Sequence, residues 1–413
     1  MALVATLVAG VVLGRFLFLG LDDGGDVRSG APTPSELTEQ GLAALAEGRR
    51  TADPSAFGRA EQLIASSREA RPDDVTTIVA SGLLALARHD FTGALAEADE
   101  ARRIAPLAID PLAVRVDALL ELGRYDEAAA AVDVMVRSKP NIASLSRASY
   151  VAELTGDRDG ALDLMQEAVA SARPGSADLA YVLALLGDLQ LGRGRLDAAD
   201  SAYRRSLRAQ PAQPQAELGR ARVLVARGDL PAASAILASL TDRIPLPDAV
   251  ALHGDVLAAS GDAAGAARQH DLVRAIEALN ASAGGVSVDL ELARFEAAQI
   301  GRPGGDAVRA LDLARRAQVA RPTVLADDTL AWALHRSGRS AEALPSAEAA
   351  VRTGIGDPTL WWHLAAVQSA VGRDDDARTS LAKAFALAGP LPVLEAPEAL
   401  ALAARLGVTA PTQ

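Results

Sequence analysis

A chain of 413 residues with a net charge of −12 and a pI near 5.0 lacks the basic footprint that a general nucleic-acid binder needs. Half of its residues are apolar but only 3% are aromatic, so the apolar share is mostly Ala, Leu and Val, side chains that suit closely packed helices. With no cysteine, the chain can form no disulfide, thiolate nucleophile, cysteine zinc site or lipidated-cysteine anchor.

The first 21 residues are apolar apart from Arg15, and about 20 apolar residues span a bilayer as a helix. Arg15 lies off centre, where it can snorkel. Residues 1–21 are expected to form a transmembrane anchor or signal segment. A single-pass protein with its bulk outside the cytoplasm is the first reading. A cleaved signal peptide, giving a secreted or periplasmic protein, is an alternative, although no basic n-region or Ala-x-Ala site accompanies the run. A helix packed on the first repeat is a third. A start codon placed too late would explain the missing charges. Residues 22–34, rich in Gly, Asp, Ser and Pro, read as a flexible linker.

From residue 35 a period takes over. In "GRYDEAAAAVDVMVRSKPN" (Gly123–Asn141) a turn Gly is followed by an Ala five residues later and a Pro seventeen later. That Ala recurs at Ala60, Ala94, Ala128, Ala161, Ala199, Ala233, Ala266, Ala310, Ala343 and Ala377. The spacing is 33 or 34 residues except for 38 before Ala199 and 44 before Ala310. A closing Pro recurs at Pro72, Pro106, Pro140, Pro211, Pro245 and Pro322, and a Gly ahead of the turn at Gly41, Gly82, Gly187 and Gly254. Apolar residues at three- and four-residue spacing predict two amphipathic helices per unit. The turn Gly permits a left-handed C-cap, and acids just after it (Asp126, Glu127, Asp159, Asp197) favour the N-terminal dipole of the second helix. The Pro ends that helix.

This skeleton resembles the tetratricopeptide repeat (TPR) family. The resemblance spans 35–389 and implies an all-α, right-handed α-solenoid of about ten helix pairs, irregular near 280–305. An insertion at Arg49–Ser55 splits the first pair. Residues 390–413 lack the skeleton and read as a C-terminal capping helix and tail. Arginine-for-lysine usage (only Lys139 and Lys383 are lysines) fits a bacterial, GC-rich coding sequence.

In that family the first helix of each pair lines a concave groove that binds peptides or partner helices. Register carries this to the residues six before each turn, among them Asp117, Tyr150, Asp188, Arg222, Asp255 and Trp332, with Glu121, His335 and Trp362 nearby. The expected groove is acidic in the middle and offers Trp332, His335 and Trp362 as an aromatic platform. The Lys/Asn pattern that clamps a C-terminal carboxylate in some TPR adaptors is absent from these positions. The implied function is a non-enzymatic scaffold that binds a protein or peptide partner in its groove, tethered to the membrane through residues 1–21. The alternative is a secreted assembly factor acting through its convex face or by self-association. No oligomeric state follows from the pattern.

Chemistry is sparse. His89, His253, His270, His335 and His363 form no His-x-x-x-His pair, so no metal or cofactor is expected. "SLAK" (Ser380–Lys383) has the Ser-x-x-Lys pattern without the partner motifs of penicillin-binding enzymes. In "LWWHLAAVQSAVGRDDDA" (Leu360–Ala377), Trp361 falls where the repeat favours a core tryptophan. Trp362, turned about 100° around the helix, is expected to face the groove, and Asp374–Asp376 to open the next helix.

Overall fold

The computed structural model describes residues 32–51, 54–282 and 290–410. Every regular element among them is an α-helix, and the chain is an α-solenoid of helix pairs. The described residues form two compact units, one ending at Val151 and one holding Ala152–Ala278 and the residues from Leu290 onward.

In the first unit α1 (Pro34–Thr51) pairs with α2 (Pro54–Ala70), α3 (Val75–Ala87) with α4 (Phe91–Ile104), and α5 (Asp110–Glu121) with α6 (Tyr125–Ser138). Helix α7 (Ile142–Leu154) carries the boundary between the units. The second unit opens with α8 (Arg158–Ser171), followed by the pair α9 (Ala177–Gly192) and α10 (Leu196–Ala209) and the pair α11 (Pro214–Ala226) and α12 (Leu230–Arg243). Next come α13 (Pro247–Ala259) with α14 (Ala263–Ser282), and α15 (Leu290–Gln299) with α16 (Ala307–Ala320). The pairs α17 (Val324–Arg336) with α18 (Ser340–Ala350) and α19 (Pro358–Ala370) with α20 (Asp374–Ala386) precede the final α21 (Ala396–Leu406).

The period has a packing cause. All ten recurring alanines are buried, the most exposed being Ala266 at 5%, because the paired helices cross there and admit only a methyl group. First and second helices differ in burial. Helix α9 buries an unbroken run from Val182 to Leu191, whereas α10 buries only the stripe Ala199, Ala202, Tyr203 and Ser206. A helix packed on both sides reads apolar all round, and one with a solvent face reads amphipathic. Gly123 ends α5 at φ 68°, the left-handed conformation its sequence position demands. Four of the second helices start on a side-chain cap: Asp90, Asp157, Asp229 and Asp262 each accept the amide three residues on. The recurring Gly ahead of the turn makes room for a neighbour. A Cβ at Gly187 would lie 2.4 Å from the Tyr203 ring, and one at Gly254 2.4 Å from the His270 ring.

Helix lengths depart from the period in the second half of the chain. Helix α14 runs 20 residues and α15 only 10, and Gly301 and Gly304 turn the chain at positive φ. Helix α21 covers the last pair, burying Ala399, Ala403 and Leu406 beside Trp362 and Leu381. The second unit also closes on itself. Arg158 donates to the carbonyls of Gly192 at 2.9 Å and Leu387 at 3.0 Å, 229 residues further along. Bare backbone meets there, so a Cβ at Gly389 would lie 2.5 Å from the Gly192 carbonyl.

The expected single-pass membrane protein is corrected. No helix among the described residues is long and apolar enough to cross a membrane. Residues 1–21 lie outside the described residues.

Candidate functional site

An open cleft of about 170 Å³ runs along the second unit. Its lining comes from successive first helices: Arg222 on α11, Asp248 and Asp255 on α13, Glu291, Arg294 and Gln299 on α15, Asp328 and Trp332 on α17, and His363 on α19. Pro392, Leu394 and Glu395, just ahead of α21, close one end. First helices face inward because each packs between its partner and the next pair, which leaves one edge toward the inside of the stack.

That closed end is a buried charge network. His363 Nδ1 lies 2.8 Å from Asp328 Oδ1 and its Nε2 2.9 Å from Glu395 Oε2, with all three residues buried. An acceptor at each ring nitrogen is satisfied only by the doubly protonated ring. Burial opposes the charge, but the two carboxylates outweigh it and raise the His363 pKa to about 10. Burial likewise pushes Glu395 up, and the His363 cation more than reverses it, leaving that carboxyl below its usual range. Trp362 Nε1 donates to the same Glu395 oxygen at 3.2 Å. The Trp332 indole stacks on the His363 ring at 3.8 Å with 10° between planes, a cation–π geometry. His335 stacks on Trp332 at 5.2 Å. Burial, then the His363 charge, lowers the His335 pKa to about 4.

The middle of the cleft is looser. Arg222 and Asp248 approach only to 4.0 Å, beyond hydrogen-bond reach. Burial raises the Asp248 carboxyl above its normal pKa against the pull of Arg222. Asp255 Oδ1 faces His270 Nε2 at 3.1 Å and accepts from Gln299 Nε2 at 3.4 Å.

The residues singled out by register separate. Asp117, Glu121 and Tyr150 belong to the first unit, and all three are buried. Asp117 is gripped by Arg147. In the second unit Asp188 is buried and accepts from Tyr203 Oη at 2.7 Å and Gln215 Nε2 at 2.8 Å. Burial raises its pKa. Of the nine, the cleft gathers Arg222, Asp255 and Trp332. The aromatic platform differs from the expectation: Trp332 and Trp362 are each 3% exposed and pack edge to face at 6.0 Å, so their rings belong to the core. Trp361 is the half-buried one, donating Nε1 to the Ile355 carbonyl at 3.0 Å.

Register missed Asp248, Gln299, Asp328, His363 and Glu395. Asp328 stands one turn before Trp332 and was open to the same helical reasoning. Glu395 had no signal, since its role depends on where α21 docks. Ser380 of the Ser-x-x-Lys pattern is buried and donates to Gln368 Oε1 at 2.8 Å, a structural bond. Asp374, Asp375 and Asp376 occupy the first turn of α20. Among the described residues no three histidines or carboxylates converge with metal-binding geometry.

Residues 190–256, from the end of α9 into α13, match the tetratricopeptide repeat family. No curated protein matches the sequence. Among solved structures, the human IFIT1 dimer with PPP-AAAA is similar at 16% identity, over 78% of this chain and 73% of that one, with a TM-score of 0.52. The thermophilic TPR protein TTC0263 of Thermus thermophilus is similar at 20% identity, over 47% of this chain and 100% of that one, TM-score 0.42. PilF of Pseudomonas aeruginosa is similar at 18% identity, over 50% and 93%, TM-score 0.41. At these identities the likeness to IFIT1 shows a shared fold of stacked helix pairs and nothing finer.

Proposed function

We propose that this chain is a non-catalytic interaction scaffold that holds a segment of a partner protein in the inner cleft of its second unit. The observation that carries the reading is the lining of that cleft: successive first helices present charged side chains, among them Arg222 and Asp248, that their neighbours only partly neutralise. Charges held at the inside of a helical stack without close partners offer directional contacts to an incoming chain.

Photo-crosslinking in the native cell tests this. A photoreactive residue at Leu252, in the cleft, is expected to capture a protein that the same residue at Val319 does not. Val319 is 81% exposed on α16. Capture at Val319 alone would overturn the cleft reading. It would favour a second one, a partner on the solvent face of α16, where exposed Val308 and Val319 lie eleven residues and hence just over three turns apart.

A further inference from the structure

Three features of the cleft remain after its internal bonds are drawn. Neither Asp248 carboxylate oxygen is within hydrogen-bond reach of a partner, the nearest cation being Arg222 at 4.0 Å. Both bonds made by Asp255 fall on Oδ1, which leaves Oδ2 open. Two buried residues of the lining carry polar atoms with no partner, the Trp332 Nε1–H donor and the Gln299 Oε1 acceptor.

Elsewhere in this unit the fully buried Glu296 is closed by a fork. Arg274 holds Glu296 through Nε at 2.9 Å and Nη2 at 3.1 Å. Other charges at the cleft are engaged as well. Arg302 donates to the Leu394 carbonyl and Glu398, Arg321 pairs with Glu291, and His363 neutralises Asp328 and Glu395. The unspent valences of the cleft are therefore the carboxylate oxygens of Asp248 and Asp255, the single Arg222 guanidinium that they outnumber, one N–H donor and one C=O acceptor.

A buried N–H and a buried C=O without partners are a standing cost that a ligand relieves by supplying the complements. One peptide unit supplies both, a carbonyl for Trp332 and an N–H for Gln299. Carboxylates with free oxygens select an organic cation, and a guanidinium or ammonium supplies several N–H donors to them.

Resting on the scaffold reading above, we propose that the cleft recognises an extended segment of a partner protein through an arginine or lysine side chain set against Asp248 and Asp255, with a neighbouring backbone amide on Trp332 and Gln299. Trp332 acts through its N–H, since its ring is already covered by His363 and His335.

Selection of random, terminally blocked peptides displayed against the full chain tests this. The expected result is enrichment of peptides with an arginine or lysine, binding at least tenfold more weakly to Asp248→Asn/Asp255→Asn and to their own citrulline or norleucine versions. Trp332→Phe keeps the ring and removes the N–H, so it should weaken the same peptides several-fold. Circular dichroism and urea unfolding establish that each variant is folded; should Trp332→Phe fail to fold, the Asp248→Asn/Asp255→Asn and citrulline comparisons decide alone. Enriched peptides that lack a basic residue but compete for crosslinking at Leu252 would overturn the cation and leave the scaffold standing. Enrichment insensitive to all of these variants, or none at all, would overturn the proposed ligand. Joined to absence of capture at Leu252, it would sink both.

Discussion

Arg147 grips Asp117 with two hydrogen bonds, Nε to Oδ1 at 2.8 Å and Nη2 to Oδ2 at 2.6 Å, and its Nη1 donates to the Ala143 carbonyl at 2.9 Å. The two side chains are 2% and 1% exposed. Asp117 is on the first helix of one repeat and Arg147 on the first helix of the next, so the pair joins consecutive repeats. A buried ion pair is weak evidence for net stability, but breaking one strands the remaining charge in a low-dielectric interior. Asp117→Ala is expected to cost about 3–5 kcal/mol in urea unfolding. The double change Asp117→Leu/Arg147→Met, which removes both charges, should recover most of that loss. A single variant within about 0.5 kcal/mol of the parent, the size of an ordinary surface change, would show that the pair is not structural.

The same pair shows how far the sequence could be read. The repeat is local: an Ala five residues past a turn Gly meets a helix a few residues away, so the period alone located ten buried alanines and the turns. The residues six before each turn also share a structural place, the junction of successive first helices. What they touch there is set 15 to 44 residues away, Asp117 by Arg147, Asp188 by Tyr203 and Gln215, and Asp255 by His270 and Gln299. Register marks the junction without saying whether a side chain is used up in it, and Asp117 and Asp188 are. The tryptophan pair went the other way for a similar reason. A 100° step around α19 separates Trp361 from Trp362, but Glu395 and α21 bring an acceptor and a cover to the Trp362 side. Their docking is invisible in the repeat pattern.

Tyr203 fills the gap between three helices. Its ring lies against Gly187 on α9 and Gly219 on α11, where an added Cβ would come to 2.4 Å and 2.3 Å, and its hydroxyl reaches Asp188. Overpacking a rigid core costs about 1–3 kcal/mol when the neighbour cannot move away, and the Tyr203 ring is fully buried. Gly219→Ala is therefore expected to lower stability by about that amount, although alanine is the better helix former by about 1 kcal/mol. Adding Tyr203→Leu should relieve the clash, so that Gly219→Ala costs less in that background. Calorimetry of the four-member cycle checks it, and additive losses would rule out the steric cause.

His363 makes stability fall with rising pH over a definable window. Its folded pKa of about 10 lies above the ordinary 6.5, so the folded state holds a proton that the unfolded chain has released. The stabilisation is fully present below about 6.5 and is lost as pH climbs through 10. Glu153 complicates the lower part. Burial, then Asp357 and Asp188, raises it from 4.5 to about 8, so its own contribution is lost between those values as pH rises. From pH 8 to 10 His363 dominates, with smaller losses from the tail of the Glu153 titration and, near pH 10, from Tyr203, which burial holds well above its ordinary value. Over this interval the folded chain is expected to lose on the order of 2 kcal/mol, near one proton per pH unit. In Asp328→Asn/His363→Gln/Glu395→Gln the network keeps its shape without titrating, and most of the loss over that interval should disappear. His363→Gln alone leaves Asp328 and Glu395 charged and buried, which should cost about 3–5 kcal/mol at pH 7. Urea unfolding at closely spaced pH reads all three proteins. Equal slopes for the parent and the triple variant between pH 8 and 10 would refute a protonated His363 at the end of the cleft.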